Sequence, residues 1–281
     1  MKIVFFATPE YTAPVSKALI DAGHEIVSTI AKRDNLVFEE FQKMNPDICV
    51  VAAYGKIIPK KYLDVPRYGF VNIHPSLLPK YRGPSPIKTA IMNGDNKTGV
   101  TIMLVDEEMD HGPILAQSTY QISRTIYHKL IQKDLWDLGA KLLIETLPKY
   151  VSREIKPQEQ DHAQATFTKK FTREDGRINW SQPAEKIYDQ IRALGDEPGA
   201  WTTWNGKVLN IKSAETHTKM PFVLQRASLY AGTVIRVDGQ VAVATGNCYL
   251  ILKTIQLEGR RETDAKSFVN GHPDFISSKL S

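Results

Sequence analysis

The segment Gly69-Phe-Val-Asn-Ile-His-Pro-Ser-Leu-Leu-Pro-Lys-Tyr-Arg-Gly-Pro-Ser-Pro86 sets an amide and an imidazole, Asn72 and His74, where an apolar run meets a proline-rich loop. In a β-strand residues two apart share a face, so these side chains point the same way while Ile73 turns into the core. An amide and an imidazole side by side can donate two hydrogen bonds to one oxygen and so stabilise an oxyanion developing on an attacked carbonyl. That chemistry needs a third polar group to orient the imidazole or take a proton. Asp106 and Asp110, in the loop that ends in Gly112-Pro113, are the available carboxylates, and spacing does not choose between them. The same Asn-x-His pattern also arises from a turn-capping asparagine beside a structural histidine, so spacing alone leaves both readings open. His24, His111, His128, His162, His217 and His272 have no such context and read as surface or structural residues.

The elements that must position these groups are those of an α/β domain. Lys2 to Ala7 is a nearly continuous apolar run, as expected of a strand buried on both faces of a parallel sheet. Thr8-Pro9 opens a helix, with Thr8 as N-cap, and Gly23 ends it before a second strand, His24 to Ile30. This strand–helix–strand unit predicts a right-handed crossover and a Rossmann-like, doubly wound sheet. In such sheets ligands bind beyond the carboxyl ends of the strands, which is where Asn72 and His74 are expected. Further strands are expected over Ile48–Ala53, Gly69–Ile73, Thr98–Val105 and Ile114–Ile122, and a long helix over Ile126–Tyr150.

Composition changes near residue 151. Residues 1–150 read as a catalytic domain, 151–164 as a polar linker and 165–281 as a second domain. In the second domain a helix with Ser181 as N-cap precedes short strands, and Asn205-Gly206 and Asp238-Gly239 mark hairpin turns. A small, mostly antiparallel barrel of the oligonucleotide-binding (OB) type is the expectation.

The chain has 281 residues and a formal net charge of +5, compatible with a polyanionic partner but weak evidence for one. Its apolar runs are far too short to span a bilayer, and its start reads as a strand rather than a signal peptide, so a cytoplasmic protein is expected. Cys49 and Cys248 read as reduced core thiols, and no His/Cys cluster has metal-binding spacing, so no metal is expected. A dinucleotide-binding oxidoreductase is disfavoured because the first strand–helix turn, Ala7 to Pro14, contains no glycine. A non-catalytic RNA-binding protein would leave the Asn/His/Asp group unexplained.

The run Asn72-Ile-His-Pro-Ser-Leu-Leu-Pro79 followed by Tyr81-Arg-Gly83, with Thr98-Gly-Val-Thr-Ile-Met103 and Asp106-Glu-Glu-Met-Asp-His-Gly112 downstream, resembles the signature of the 10-formyltetrahydrofolate-dependent formyltransferases. The resemblance implies Asn72, His74 and Asp110 as the catalytic group. It implies Ser76, Leu77, Leu78 and Pro79 as a folate-holding loop, with Tyr54, Gly55 and Ile57 lining the pterin pocket. Ala165 to Lys170, Glu174 to Trp180, Pro198 to Thr202 and Phe268 to Gly271 are similar to the C-terminal domain of the methionyl-tRNA branch of the family. That implies a monomer which takes 10-formyltetrahydrofolate as formyl donor and methionyl initiator tRNA as acceptor, in translation initiation. A formyl-folate hydrolase and a sugar-nucleotide formyltransferase share the catalytic motif and are the alternatives. Two departures stand out: Ala7 replaces a glycine usual in the family, and only Ala31 to Leu36 stands where members generally carry a long basic loop. The second bears on the tRNA part of the reading alone.

Overall fold

Strand β1 (Lys2–Ala7) is buried from Ile3 onward, as a continuous apolar run in the interior of a sheet covered on both faces must be. The computed structural model describes residues 1–216 and 230–281, and His217 lies outside them. The chain divides into two compact units, Met1–Ala90 with Asp95–Lys169, and Ile91–Gly94 with Lys170–Ser281.

In the first unit β1 stands between β2 (Glu25–Ile30) and β3 (Ile48–Ala52), parallel to both, and β4 (Phe70–His74) is parallel to β3. The sheet order is β2-β1-β3-β4-β5-β6, so the chain reverses its direction of growth after β2 and opens a crevice at the carboxyl ends of these strands. The last two strands, β5 (Lys97–Leu104) and β6 (Ile114–Gln121), are antiparallel to their neighbours. Val71 pairs with Leu104 and His74 with Thr101, so the end of β5 lies beside the start of β4.

Helix α1 (Pro9–Asp21) starts where the sequence places it, but the Thr8 hydroxyl does not cap it. That hydroxyl donates to the Ala53 carbonyl and ties the first turn to the end of β3. Phe41 of α2 (Phe38–Met44) packs with Val4, Phe6, Cys49, Val51 and Phe70, and Tyr62 of α3 (Lys60–Leu63) joins the same cluster. Burial raises the Cys49 thiol far above its ordinary range, so it stays protonated and inert. A short α4 (Pro86–Met92) follows β4, and the long α5 (His128–Val151) crosses the other face of the sheet. There a Cβ on Gly139 would come within 2.7 Å of Ile73, so helix and sheet meet through a glycine.

His128, the first residue of α5, is held down to a pKa of about 4, chiefly by burial and then by the charge of Lys88. An unfolded chain takes up this proton near 6.5, so between these values the unfolded state binds more protons. The resulting stability is complete above the unfolded value and is lost as pH falls through the window. At pH 4.5 His128→Gln is therefore expected to recover about 2 kcal/mol relative to its effect at pH 7. Parallel melting-temperature curves for the two proteins over this range would contradict it.

Residues 151–164, expected as a linker, carry backbone pairing to the first unit. The Gln158 and Ile114 amides exchange hydrogen bonds with each other's carbonyls at 2.8 and 2.7 Å. Phe167 also bridges to Arg82.

The second unit holds an antiparallel sheet in the order β7-β8-β11-β10-β9, with β12 (Thr263–Asp264) beside β11. Its strands are β7 (Trp201–Trp204), β8 (Lys207–Thr216), β9 (Val234–Val237), β10 (Gln240–Ala244) and β11 (Tyr249–Leu257). Asn205-Gly206 and Asp238-Gly239 have φ of 49° and 76°, and 47° and 70°, the left-handed pairs that close two-residue hairpins. Helix α6 (Ala184–Leu194) begins after Pro183 rather than at Ser181, and its first amide, on Ala184, donates to Asn247 at 2.9 Å. The cap therefore comes from the turn before β11, which local sequence could not reveal. Cys248 is buried as a thiol outside any disulfide. Among the described residues no helix is long and apolar enough to cross a membrane.

Candidate active site

Strand alternation places Asn72 and His74 on one face at the end of β4, while Ile73 is buried on the other. Asp110 reaches them from the loop between β5 and β6. Because β5 ends beside the start of β4, that loop must fold back along β4 to bring the carboxylate to Asn72 and His74. Asp110 takes a left-handed backbone at φ 51°, which an aspartate tolerates better than most residues.

Asp110 Oδ2 accepts a strong hydrogen bond from the Gly83 amide at 2.7 Å. Its other oxygen, Oδ1, lies 3.4 Å from the Asn72 amide nitrogen and 3.5 Å from His74 Nδ1. Both distances are long for hydrogen bonds, so Oδ1 is held loosely while Oδ2 is held firmly. His74 is 4% exposed, and its Nε2 lies 2.9 Å from the Tyr81 carbonyl. A carbonyl can only accept, so Nε2 carries a proton and Nδ1 is the edge turned to Asp110. A further proton between Nδ1 and Oδ1 is needed to make that contact attractive.

The expectation that amide and imidazole converge on a single oxygen therefore meets a specific geometry. The oxygen at their point of convergence is Asp110's own, and the distal edge of the imidazole is already engaged by the backbone. Asn72 is partly exposed, and its amide nitrogen has two hydrogens, one facing Asp110. The second is available to an incoming oxygen.

Asp106, the other carboxylate that spacing left open, lies 2.6 Å from His111 Nδ1 and engages that ring instead of His74. His111 in turn stacks on His162, with ring centroids 4.1 Å apart. Nothing in the sequence pattern joins His111 to His162. Among the described residues no group of three His, Cys, Asp or Glu side chains is placed to hold a metal ion.

Ser76, Leu77, Leu78 and Pro79 follow directly on β4. Their loop is anchored by Thr101, the residue paired with His74 in the sheet. Thr101 Oγ1 donates to the Ser76 carbonyl at 2.7 Å and accepts from the Leu78 amide at 3.1 Å and from Gln117 Nε2 at 2.8 Å. Gln117 also donates to the Leu78 carbonyl at 2.9 Å. The Ser76 hydroxyl is buried and donates to the Lys80 carbonyl at 2.6 Å, which makes it a brace within the loop. Leu77 lies against the backbone of β5, where a Cβ on Gly99 would fall 2.5 Å from its Cδ2. Thr101 and Gln117 escaped sequence reasoning because strand threonines and glutamines carry no signal of what their loops do.

Tyr54, Gly55 and Ile57 lie beyond the end of β3. Tyr54 is a core residue, its ring edge-on to Phe6 at 5.2 Å, and burial raises its phenol above the ordinary value. Gly55 has φ 70°, and Ile57 is 67% exposed. Only Ile57 of the three offers an open apolar surface.

Residues 10–147 match the formyl transferase family, and residues 170–273 match the formyl transferase C-terminal domain. A methionyl-tRNA formyltransferase of Roseiflexus sp. (strain RS-1) is 45% identical over 92% of this chain and 78% of its own. One from Chloroflexus aurantiacus (strain J-10-fl) is 37% identical over 98% of this chain and 99% of its own. Among solved structures, methionyl-tRNA formyltransferase from Clostridium thermocellum superposes with a TM-score of 0.63 at 23% identity, over 88% of this chain and all of that one. HypX from Aquifex aeolicus, in complex with tetrahydrofolic acid, gives a TM-score of 0.73 at 17% identity. It covers 98% of this chain, which spans about half (48%) of HypX. These two likenesses speak for the fold, and the sequence matches for the family. The chain belongs to the methionyl-tRNA formyltransferase family.

Proposed function

We propose that Asn72, His74 and Asp110 are the catalytic group of a formyl transfer from 10-formyltetrahydrofolate to the α-amine of methionyl initiator tRNA. The observation that carries this reading is the convergence of the Asn72 amide and His74 Nδ1 on one carboxylate oxygen at the end of β4. The neutral amine attacks the formyl carbon, the tetrahedral oxyanion collapses with cleavage of the bond to the folate nitrogen, and the proton lost by the amine is matched by one delivered through His74 to that departing nitrogen. The free N–H of Asn72 is suited to the developing negative charge. His74 keeps its Nε2–H on the Tyr81 carbonyl and becomes a second donor through Nδ1 when that nitrogen takes up a further proton. Asp110, anchored through Oδ2 by Gly83, has Oδ1 free to orient that ring and to accept the amine proton, directly or through water. Its long contacts are the kind that tighten when a substrate arrives.

The loop Ser76–Pro79 is the folate-holding segment in this reading, with Ile57 and the Tyr54–Gly55 backbone completing the pterin pocket. Thr101 fixes that loop, so Thr101→Val would leave the Leu78 amide and one Gln117 N–H without their acceptor and the Ser76 carbonyl without its donor. The expected result is a rise of about 10-fold in KM for the formyl donor, with about 1–3 kcal/mol of stability lost. Steady-state kinetics with a thermal melt check it, and an unchanged KM would speak against the loop assignment.

The second unit is read as an OB-like barrel that meets the tRNA, in keeping with the net positive charge of the chain. The protein is read as a cytoplasmic monomer. The test is incubation with 10-formyltetrahydrofolate and charged initiator tRNA, with charged elongator tRNA and free methionine as controls. Formyl-methionyl-tRNA made from the initiator alone supports the reading. Formate release without any amine would instead indicate a hydrolase, and formylation of an amino-sugar nucleotide a sugar-nucleotide enzyme.

A further inference from the structure

Gln160 lies in the polar stretch after α5 and is only 5% exposed, an uncommon position for a long amide side chain. Its one planar group makes four hydrogen bonds, to three residues. Nε2 donates to the Asp110 carbonyl at 2.9 Å and to the Gly112 carbonyl at 2.8 Å. Oε1 accepts from Arg82 Nε at 3.2 Å and Nη2 at 2.7 Å.

Arg82 is equally buried, at 4%, and stands between the two residues that hold the candidate catalytic group. Tyr81, before it, presents the carbonyl that fixes His74, and Gly83, after it, presents the amide that fixes Asp110 Oδ2. The backbone of Arg82 is pinned by the Thr166 carbonyl and the Thr168 amide, both at 2.8 Å. Its Nη2 also donates to His162 Nδ1 at 2.8 Å. The contacts close a circuit from the Asp110 carboxylate through Gly83, the Arg82 side chain and Gln160 back to the Asp110 carbonyl.

The loop between β5 and β6 has to run back along β4 and turn left-handed at Asp110 to make this site. Gln160 holds it by carbonyls on either side of His111. We infer that Gln160, clamped by Arg82, is a positioning residue that presents the Asp110 carboxylate to Asn72 and His74. This rests on the catalytic assignment above. An amide suits the place because it donates to two carbonyls and accepts from a guanidinium at once. A glutamate would keep the contact with Arg82 but set its oxygens against both carbonyls. An asparagine, one methylene shorter, cannot span both partners.

The test is the single-turnover rate of formyl-methionyl-tRNA formation in Gln160→Glu and Gln160→Asn, alone and combined with Asp110→Asn. Thermal melting and tetrahydrofolate binding are measured alongside. Each Gln160 variant alone is expected to slow transfer by about 10- to 100-fold, with tetrahydrofolate affinity close to that of the parent. In the Asp110→Asn background the same change should cost less than about twofold, because the group it positions no longer acts. Two variants are used so that one folded protein suffices for the cycle. A single-variant rate within twofold of the parent, or the full loss repeated in the Asp110→Asn background, overturns the inference, as does failure of both variants to fold. A parental rate in Asp110→Asn itself would instead remove the catalytic assignment on which it rests.

Discussion

Asp110→Asn is expected to slow formyl transfer by about a thousandfold while the protein folds normally. Asparagine has the same shape and also tolerates the left-handed backbone that Asp110 adopts at φ 51°. Its side-chain oxygen can still accept from the Gly83 amide, which donates to Asp110 Oδ2 at 2.7 Å, so the loop keeps its anchor. The charge and the capacity to take a proton are lost. At 3.5 Å from His74 Nδ1, a neutral amide can neither stabilise a further proton on that nitrogen nor assist removal of the amine proton. The single-turnover rate of formyl-methionyl-tRNA formation reads the effect, and a thermal melt establishes the fold. A folded variant within tenfold of the parental rate would take Asp110 out of the mechanism.

Asn72→Ala is expected to cost about 100- to 1000-fold in kcat, with kcat/KM falling by a similar factor. In the proposed mechanism the amide contributes an N–H where negative charge develops, an interaction worth most in the transition state. Little stability should be lost, because Asn72 is partly exposed and its contact to Asp110 is long at 3.4 Å. A variant with raised KM for either substrate and unchanged kcat would mark Asn72 as a binding residue instead.

Much of the first unit was legible because local pattern and tertiary role agree there. The apolar run Lys2–Ala7 is a buried interior strand, and Asn72 and His74 share the face of β4 that meets Asp110. The left-handed turns at Asn205-Gly206 and Asp238-Gly239 are written in residues that adopt positive φ cheaply. The choice between Asp106 and Asp110 was not legible from spacing, because it depends on how a loop folds back along an antiparallel strand. The structure brings Asp110 beside Asn72 and His74 and gives Asp106 to His111.

The role of residues 151–164 was hidden for a different reason. Glutamines in a polar stretch carry the composition of a linker, yet Gln160 is buried through partners at Arg82, Asp110 and Gly112, far away in sequence. Thr8 and Ser181 show the limit of cap signals in the same way. The Thr8 hydroxyl serves Ala53, and the first amide of α6 is satisfied by Asn247. In each case the partner is fixed by tertiary packing, which no window of local sequence contains.

The most direct test of the Asn72, His74 and Asp110 assignment is the single-turnover rate of Asn72→Ala/Asp110→Asn beside the two single variants, with formyl-methionyl-tRNA as product. Groups that act as one unit around a shared reaction centre lose their effect together. The double variant is therefore expected to be no more than about threefold slower than the slower single variant. Losses that multiply in full would show that the two residues act independently and would contradict a single catalytic group at the end of β4.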